Sequence, residues 1–176
     1  AFHLDNTDFE LTINIKSLNK LHRIGDTPFN QIVNYPENIV FTSNLYYIGD
    51  KALYVDKSGS SHHNSEILTV SFDQTNALQT IGNYAFQNQA NLEITTNIKA
   101  HKIGDNAFEL CSKLNTNIEI ESRGTTAGSI GEKAFLNCIS LAGTLKMTNP
   151  TQEDETESHP LSTIGGWAFQ NSGLKS

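Results

Sequence analysis

Long apolar segments are absent from this sequence, and no run approaches the roughly 18 residues that a membrane-spanning helix needs. We therefore expect no direct membrane insertion by this segment. Hydrophobic residues other than glycine make up 37% of its 176 residues, a low fraction for a globular domain, in which about 45–50% is usual with glycine counted. An array of repeats tolerates this composition, because each repeat buries only a thin slice of core against its neighbours.

Clusters of basic residues are missing as well. The formal net charge is −7 and the sequence pI is ≈ 5.3. A partner such as nucleic acid needs lysine and arginine side chains that neutralise its phosphates. The composition therefore argues against a nucleic-acid partner.

The common catalytic motifs are also absent. The chain has no Gly-x-Ser-x-Gly, no Gly-Lys-Ser/Thr phosphate loop and no Gly-x-Gly-x-x-Gly dinucleotide fingerprint. Paired carboxylates can perform acid–base catalysis, but nothing in the sequence selects one pair. We predict no catalytic residue and no cofactor, and expect that this chain is not an enzyme.

Two polar segments carry residue types that bind metals. His62 and His63 with Glu66 lie in a stretch rich in Ser, Gly and Asn, which favours an exposed loop over a zinc site. Residues 152–157 carry four carboxylates, but without the residue order or the turn glycine of a calcium loop. This segment is better interpreted as a solvated acidic loop, so no metal site is predicted.

What the sequence does contain is a recurring segment, Ile-Gly-x-x-Ala-Phe. Fixed-period self-similarity of this kind indicates a stack of similar structural units. Four strong copies begin at Ile81, Ile103, Ile130 and Ile164, and weaker copies begin at Ile24 and Ile48. The spacing between successive Ala positions, counted from Pro28, is 24, 33, 22, 27 and 34 residues. We predict that Phe86, Phe108, Phe135 and Phe169 form one internal column.

Each motif is followed by an apolar pattern at fixed distances from its Phe. An apolar residue comes six positions later, and two more come ten and twelve positions later, an alternation typical of a strand with one buried face. The pairs are Ile39 and Phe41, Ile118 and Ile120, and Leu145 and Met147, whereas the unit at Phe86 has Thr96 and Ile98. The predicted fold is a solenoid with short parallel β-strands on one face and short helical turns or loops on the other.

Polar inserts account for the unequal repeat lengths. They span residues 58–66, 122–129 and 148–160, and we expect them to project as loops from the sides of the stack. Lengthening a flexible loop costs little, about 0.6 kcal/mol per doubling.

The two cysteines occupy equivalent positions in adjacent repeats. Cys111 and Cys138 each lie three residues after a motif Phe, so stacking brings them close to disulfide reach. The alternative is a pair of buried thiols that act as small core residues. The sequence favours the thiols and leaves the disulfide open.

The strand residues between the apolar positions form the candidate binding face. Solenoids use such extended, repeated surfaces to bind their ligands, although threonine also favours strands without any function. The strand copy at residues 68–72 is displaced by an insertion. In the predicted register, this face carries Asn38, Val40, Thr69, Ser71, Thr95, Asn97, Asn117, Glu119, Thr144 and Lys146.

The motif resembles a known family. Ile-Gly-x-x-Ala-Phe-x-x-Cys-x-x-Leu followed by a short strand is similar to the BspA-like leucine-rich repeat, and the full form stands at residues 103–114 and 130–141. The resemblance covers nearly the whole chain. It implies a leucine-rich-repeat solenoid of a kind found in microbial cell-surface proteins, some of which adhere to host proteins.

Three functions are compatible with such an array. The first is a cell-surface recognition or adhesion module without catalytic activity, which binds protein or glycan, such as a host surface or matrix protein. The second is a structural spacer or stalk, and the third is an accessory repeat domain of a larger surface enzyme. We expect residues 1–176 to form one array cut from a longer array or protein.

Overall fold

The computed structural model describes residues 21–28, 38–41, 43–56, 68–72, 78–123, 126–148 and 162–174. Within these ranges the regular elements are short β-strands, and no helix occurs. The strands are β1 (Arg23–Ile24), β2 (Asn38–Phe41), β3 (Tyr47–Ile48), β4 (Leu68–Phe72), β5 (Leu78–Ile81), β6 (Leu92–Ile94), β7 (Ile98–Ile103), β8 (Ile118–Glu121), β9 (Ser129–Ile130), β10 (Leu145–Thr148) and β11 (Thr163–Ile164).

The paired strands run parallel and form two ladders along the stack. The first, which we call the Ile-Gly ladder, joins β1, β3, β5, the second half of β7, β9 and β11. The second, the outer ladder, has two parts that are not paired with each other. β2, β4 and β6 form a three-stranded sheet, and the first half of β7 pairs with β8, which pairs with β10. The predicted solenoid of short parallel strands is confirmed, with two strand ladders instead of one.

The motif residues form the core between the ladders. The Ile and Ala of successive motifs are buried, from Ile24 to Ile130 and from Ala52 to Ala168. The rings of Phe86, Phe108, Phe135 and Phe169 stack with centroids 4.9, 5.1 and 5.2 Å apart and within 5° of parallel. The predicted phenylalanine column is therefore present.

Close packing of successive coils explains the motif glycine. A Cβ on Gly104 would lie 2.7 Å from the backbone nitrogen of Asn83 in the preceding coil. A Cβ on Gly131 would lie 2.5 Å from the nitrogen of Asp105. Real Cβ atoms do not approach backbone so closely, so only glycine lets the coils stack at this separation.

Positive φ angles occur at other residues and shape the opposite side of each coil. The residue before the motif Ala and the second residue after the motif Phe are left-handed, as at Tyr84 with φ 57° and Asn88 with φ 67°. A left-handed residue interrupts a right-handed helix. The segment expected to contain a short helical turn is therefore a run of turns, closed by bonds such as Gln87 N–H to Tyr84 O at 3.2 Å.

The predicted inserts are described only in part. In the second, Arg123 and Thr126 form an antiparallel bridge, while Ser122 and Gly128 are buried against the stack. The insert at 58–66 and most of the one at 148–160 lie outside the described residues, as do His62, His63, Glu66 and the acidic segment 152–157.

Candidate functional site

The first part of the predicted binding face lies on the outer ladder in the expected register. Asn38 on β2 stands beside Thr69 on β4, and Val40 stands beside Ser71. The alternate residues of both strands are buried, whereas these four are exposed or half-buried. Alternation with period two therefore presents them on one side of the sheet.

The expected register is wrong at the next repeat. Thr95 and Asn97 are exposed but lie in the bend between β6 and β7, not on a strand. Ile98 pairs with Ile118, so this repeat is shifted by two residues relative to the count from its Phe. With 22 residues it is the shortest of the repeats, and the chain bends sharply to meet strands on both sides.

Asn97 nevertheless contributes to a row of polar side chains beside the outer ladder. Asn117 and Thr144 directly precede β8 and β10. The Asn117 Nδ2 atom donates to Asn97 Oδ1 at 3.1 Å, and Asn117 Oδ1 accepts from Thr144 N at 2.9 Å and from Thr144 Oγ1 at 3.1 Å. These contacts hold exposed side chains of three successive coils in a fixed order.

Charged side chains alternate in sign on the strands that follow. Register places Lys99, Glu119 and Lys146 side by side across β7, β8 and β10. The Nζ of Lys146 lies 3.4 Å from Glu119 Oε1, and the Nζ of Lys99 lies 2.6 Å from Glu121 Oε1. Counting from the phenylalanines missed Lys99 and Glu121. The sequence feature that could have identified Lys99 as a strand residue was its position within the segment Ile98–Ile103.

A second row of polar side chains directly follows the motif glycines, and the sequence analysis also missed it. The side-chain Oδ1 of Asp26, Asp50, Asn83 and Asp105 each accepts the backbone N–H of the equivalent residue in the next coil, at 2.7–2.9 Å. The last donor is Glu132. Recurrence of Asp or Asn directly after the glycine was the sequence signal for this coil-to-coil bonding.

The cysteines are thiols buried in the core, and no disulfide joins them. The Sγ atoms of Cys111 and Cys138 donate to the carbonyl oxygens of Phe86 and Phe108 at 3.1 and 3.0 Å. Burial raises the pKa of the Cys138 thiol to about 12. Gln89 occupies the same position one coil earlier and donates from Nε2 to Leu53 O at 2.6 Å. The favoured interpretation as core thiols is confirmed, and their shared task is to satisfy a buried carbonyl.

The described part of the chain contains no cluster of three or more His, Cys, Asp or Glu side chains that could hold a metal ion. His101 is buried, and its Nδ1 lies 2.7 Å from the carbonyl oxygen of Glu121. The contact ties the ring to backbone at the edge of the 122–129 insert. No helix within the described ranges is long and apolar enough to cross a membrane.

Comparison with protein families agrees with this geometry. The family model of the BspA type leucine rich repeat region matches in six copies, over residues 4–142 and 57–176. The chain belongs to this family. Neither the curated proteins nor the solved structures that were compared give a match.

Family membership indicates the general class of function. A BspA-type leucine-rich repeat region is a repeat module for protein interaction, and such regions are generally non-catalytic. The family is typical of microbial surfaces. The two strand ladders provide broad, regular surfaces of the kind that interaction modules use.

Proposed function

We propose that the chain is a recognition and adhesion module of the cell surface, without catalytic activity, that binds a protein ligand through the outer ladder. Residues 1–176 act as a single array. The contact face comprises the ten predicted residues together with Lys99 and Glu121. A matrix or surface protein of a host is the proposed partner, and contacts are spread over several repeats.

One observation carries the proposal: exposed polar side chains on this face bond to one another from coil to coil. Asn97, Asn117 and Thr144 are joined by hydrogen bonds, and Glu119 contacts Lys146. Ordering long side chains costs binding free energy, about 0.5–1.5 kcal/mol for each one immobilised. Side chains already held by neighbours lose less freedom on binding, which favours recognition over a merely solvated face.

The ion pair on β8 and β10 offers a direct test. We would immobilise a panel of purified extracellular-matrix proteins and a glycan array, and measure binding of the wild-type chain and of Glu119→Lys and Lys146→Glu variants. The charge reversals should weaken the binding of a protein ligand at least about fivefold, because complementary charges become like charges. Lys113→Glu is the matched control, since Lys113 is exposed on a turn outside the ladder.

Two outcomes would contradict the proposal. A protein ligand that binds the wild-type, Glu119→Lys and Lys113→Glu chains equally would place recognition elsewhere on the molecule. An absence of any ligand in both panels would favour the spacer function over recognition.

A further inference from the structure

The Ile-Gly ladder carries a second outward row, distinct from the outer ladder. Strand register aligns the residue before each motif Ile across six consecutive strands. The row consists of Arg23, Tyr47, Thr80, Lys102, Ser129 and Thr163. All six are exposed or half-buried. At the roughly 4.7–4.9 Å spacing of adjacent strands, five intervals make a row on the order of 24 Å long.

The row contains no acidic residue, although the chain has 19 Asp and Glu against 12 Lys and Arg. Its two cations, Arg23 and Lys102, are exposed. Neither forms an ion pair with any residue that the structure describes. The outer ladder differs, because Lys99 and Lys146 there contact glutamates. Positive charge is therefore available to a ligand on the Ile-Gly ladder.

Aromatic rings lie among these cations. The guanidinium carbon of Arg23 stands 4.1 Å above the ring centre of Tyr47. Stacking in this way orients the planar group and leaves its N–H donors to bind anions. In the adjacent row, the Tyr46 side chain is 45% exposed and its ring lies 6.0 Å from that of His22.

A third cation contacts the Ile-Gly ladder from the 122–129 insert. The Nη1 of Arg123 donates to Oε1 of Gln79 at 3.4 Å, and Gln79 lies on β5 in the same row as Tyr46. These cations come from repeats that are far apart in the chain, so they form no basic cluster in the sequence. Stacking of the coils brings them to the same ladder.

We propose that this row is a binding track for an anionic polysaccharide that carries sulfate or carboxylate groups. Arginine and lysine bind those groups, tyrosine rings offer an apolar face to the C–H groups of a sugar ring, and Thr80, Ser129 and Gln79 can bond sugar hydroxyls. A linear polymer can contact the successive residues of the row. Double-stranded DNA matches it poorly, since its charge density, one phosphate per about 1.7 Å of helix axis, far exceeds that of the two cations in the row with Arg123 beside it.

The test uses heparin as the sulfated probe and neutral dextran as its uncharged counterpart, at low ionic strength, with surface plasmon resonance or calorimetry. The chain should bind heparin and not dextran, and added salt should weaken binding. Arg23→Gln and Lys102→Gln should each weaken it about two- to fivefold, the range for exposed ion pairs. Tyr46→Ala should weaken it while leaving its salt dependence unchanged.

Lys113→Gln is the matched control, because it removes the same charge from an exposed turn residue. It should change heparin affinity less than twofold, and thermal melts should show that every variant is folded. Equal losses in Lys102→Gln and Lys113→Gln would overturn the proposal, as would failure to bind heparin. Binding of polyglutamate or single-stranded DNA as tight as that of heparin would overturn the assignment to a polysaccharide.

These outcomes are independent of the protein-recognition test, because the two tests change residues on different ladders. Loss of protein binding in the Glu119→Lys variant with heparin binding intact would support both proposals. Heparin binding that responds to Glu119→Lys but not to Lys102→Gln would refute the track on the Ile-Gly ladder alone.

Discussion

The phenylalanine column provides the most direct test of how the repeats stabilise one another. Phe108 is fully buried and stacks on Phe86 at 4.9 Å and on Phe135 at 5.1 Å. Truncation of a buried Phe to Ala costs about 3–5 kcal/mol through lost burial and the cavity that remains. Because two ring contacts are lost at once, Phe108→Ala should fall in the upper half of that range.

Phe169 provides an internal comparison within the same column. It is half-buried and stacks in the described structure on one ring, that of Phe135, at 5.2 Å. Partial burial and a single ring contact together predict a loss of about 2 kcal/mol for Phe169→Ala. The ratio of the two losses, more than the absolute values, tests whether stability depends on coupling between neighbouring coils.

Urea unfolding followed by far-UV circular dichroism measures both losses. The denaturant slope should be reported for each variant, since a repeat array that unfolds in parts shows a reduced slope. Equal losses in the two variants would refute the argument, as would a loss below about 2 kcal/mol for Phe108→Ala. Either result would mean that the rings do not act as a continuous column.

Three further predictions concern the coil-to-coil contacts. Gly104→Ala should lower the free energy of unfolding by about 1–3 kcal/mol through overpacking. Gly166→Ala is the control, because its Cβ would meet nothing within 4 Å. In the same urea assay it should change the free energy of unfolding by no more than about 0.5 kcal/mol. Asp105→Ala removes the acceptor of Glu132 N–H and should cost about 1 kcal/mol, while Asp105→Asn, which keeps an acceptor, should lose less on thermal unfolding. The raised pKa of Cys138 means that the unfolded chain releases this proton first as pH rises. The contribution of the protonated Cys138 thiol to the free energy of unfolding is full below pH about 8.5. It is lost between that pH and pH about 12, by up to about 1.4 kcal/mol per pH unit. The free energy of unfolding, measured against pH, should therefore fall less steeply in Cys138→Ser.

Much of the fold could be predicted because the motif positions have one physical role in every repeat. The same residue type recurs at each motif position, so equivalent side chains of successive coils pack on one another. This packing buries Ile103, Ala107 and Phe108. The same reasoning located the buried strand positions Ile118 and Ile120. It needed only spacing and side-chain size.

Contacts between repeats of unequal length could not be predicted in the same way. Thr95 and Asn97 were misplaced because their repeat is shorter than its neighbours and its strands pair with a two-residue shift. The ion pair between Lys99 and Glu121 depends on that shift. The cationic row containing Arg23 and Lys102 was missed because the two residues are distant in the sequence.

The sequence by itself determined the stacked architecture, the identity of the buried residues and the glycines on which close stacking depends, since these follow from composition at recurring positions. Only the tertiary structure decided which exposed side chains of neighbouring coils meet, and so where opposite charges neutralise one another and where positive charge stays open to a ligand. The physical reason is that strand register is set by hydrogen bonds between coils whose motifs lie 22–34 residues apart, and a shift of two residues changes every cross-strand neighbour.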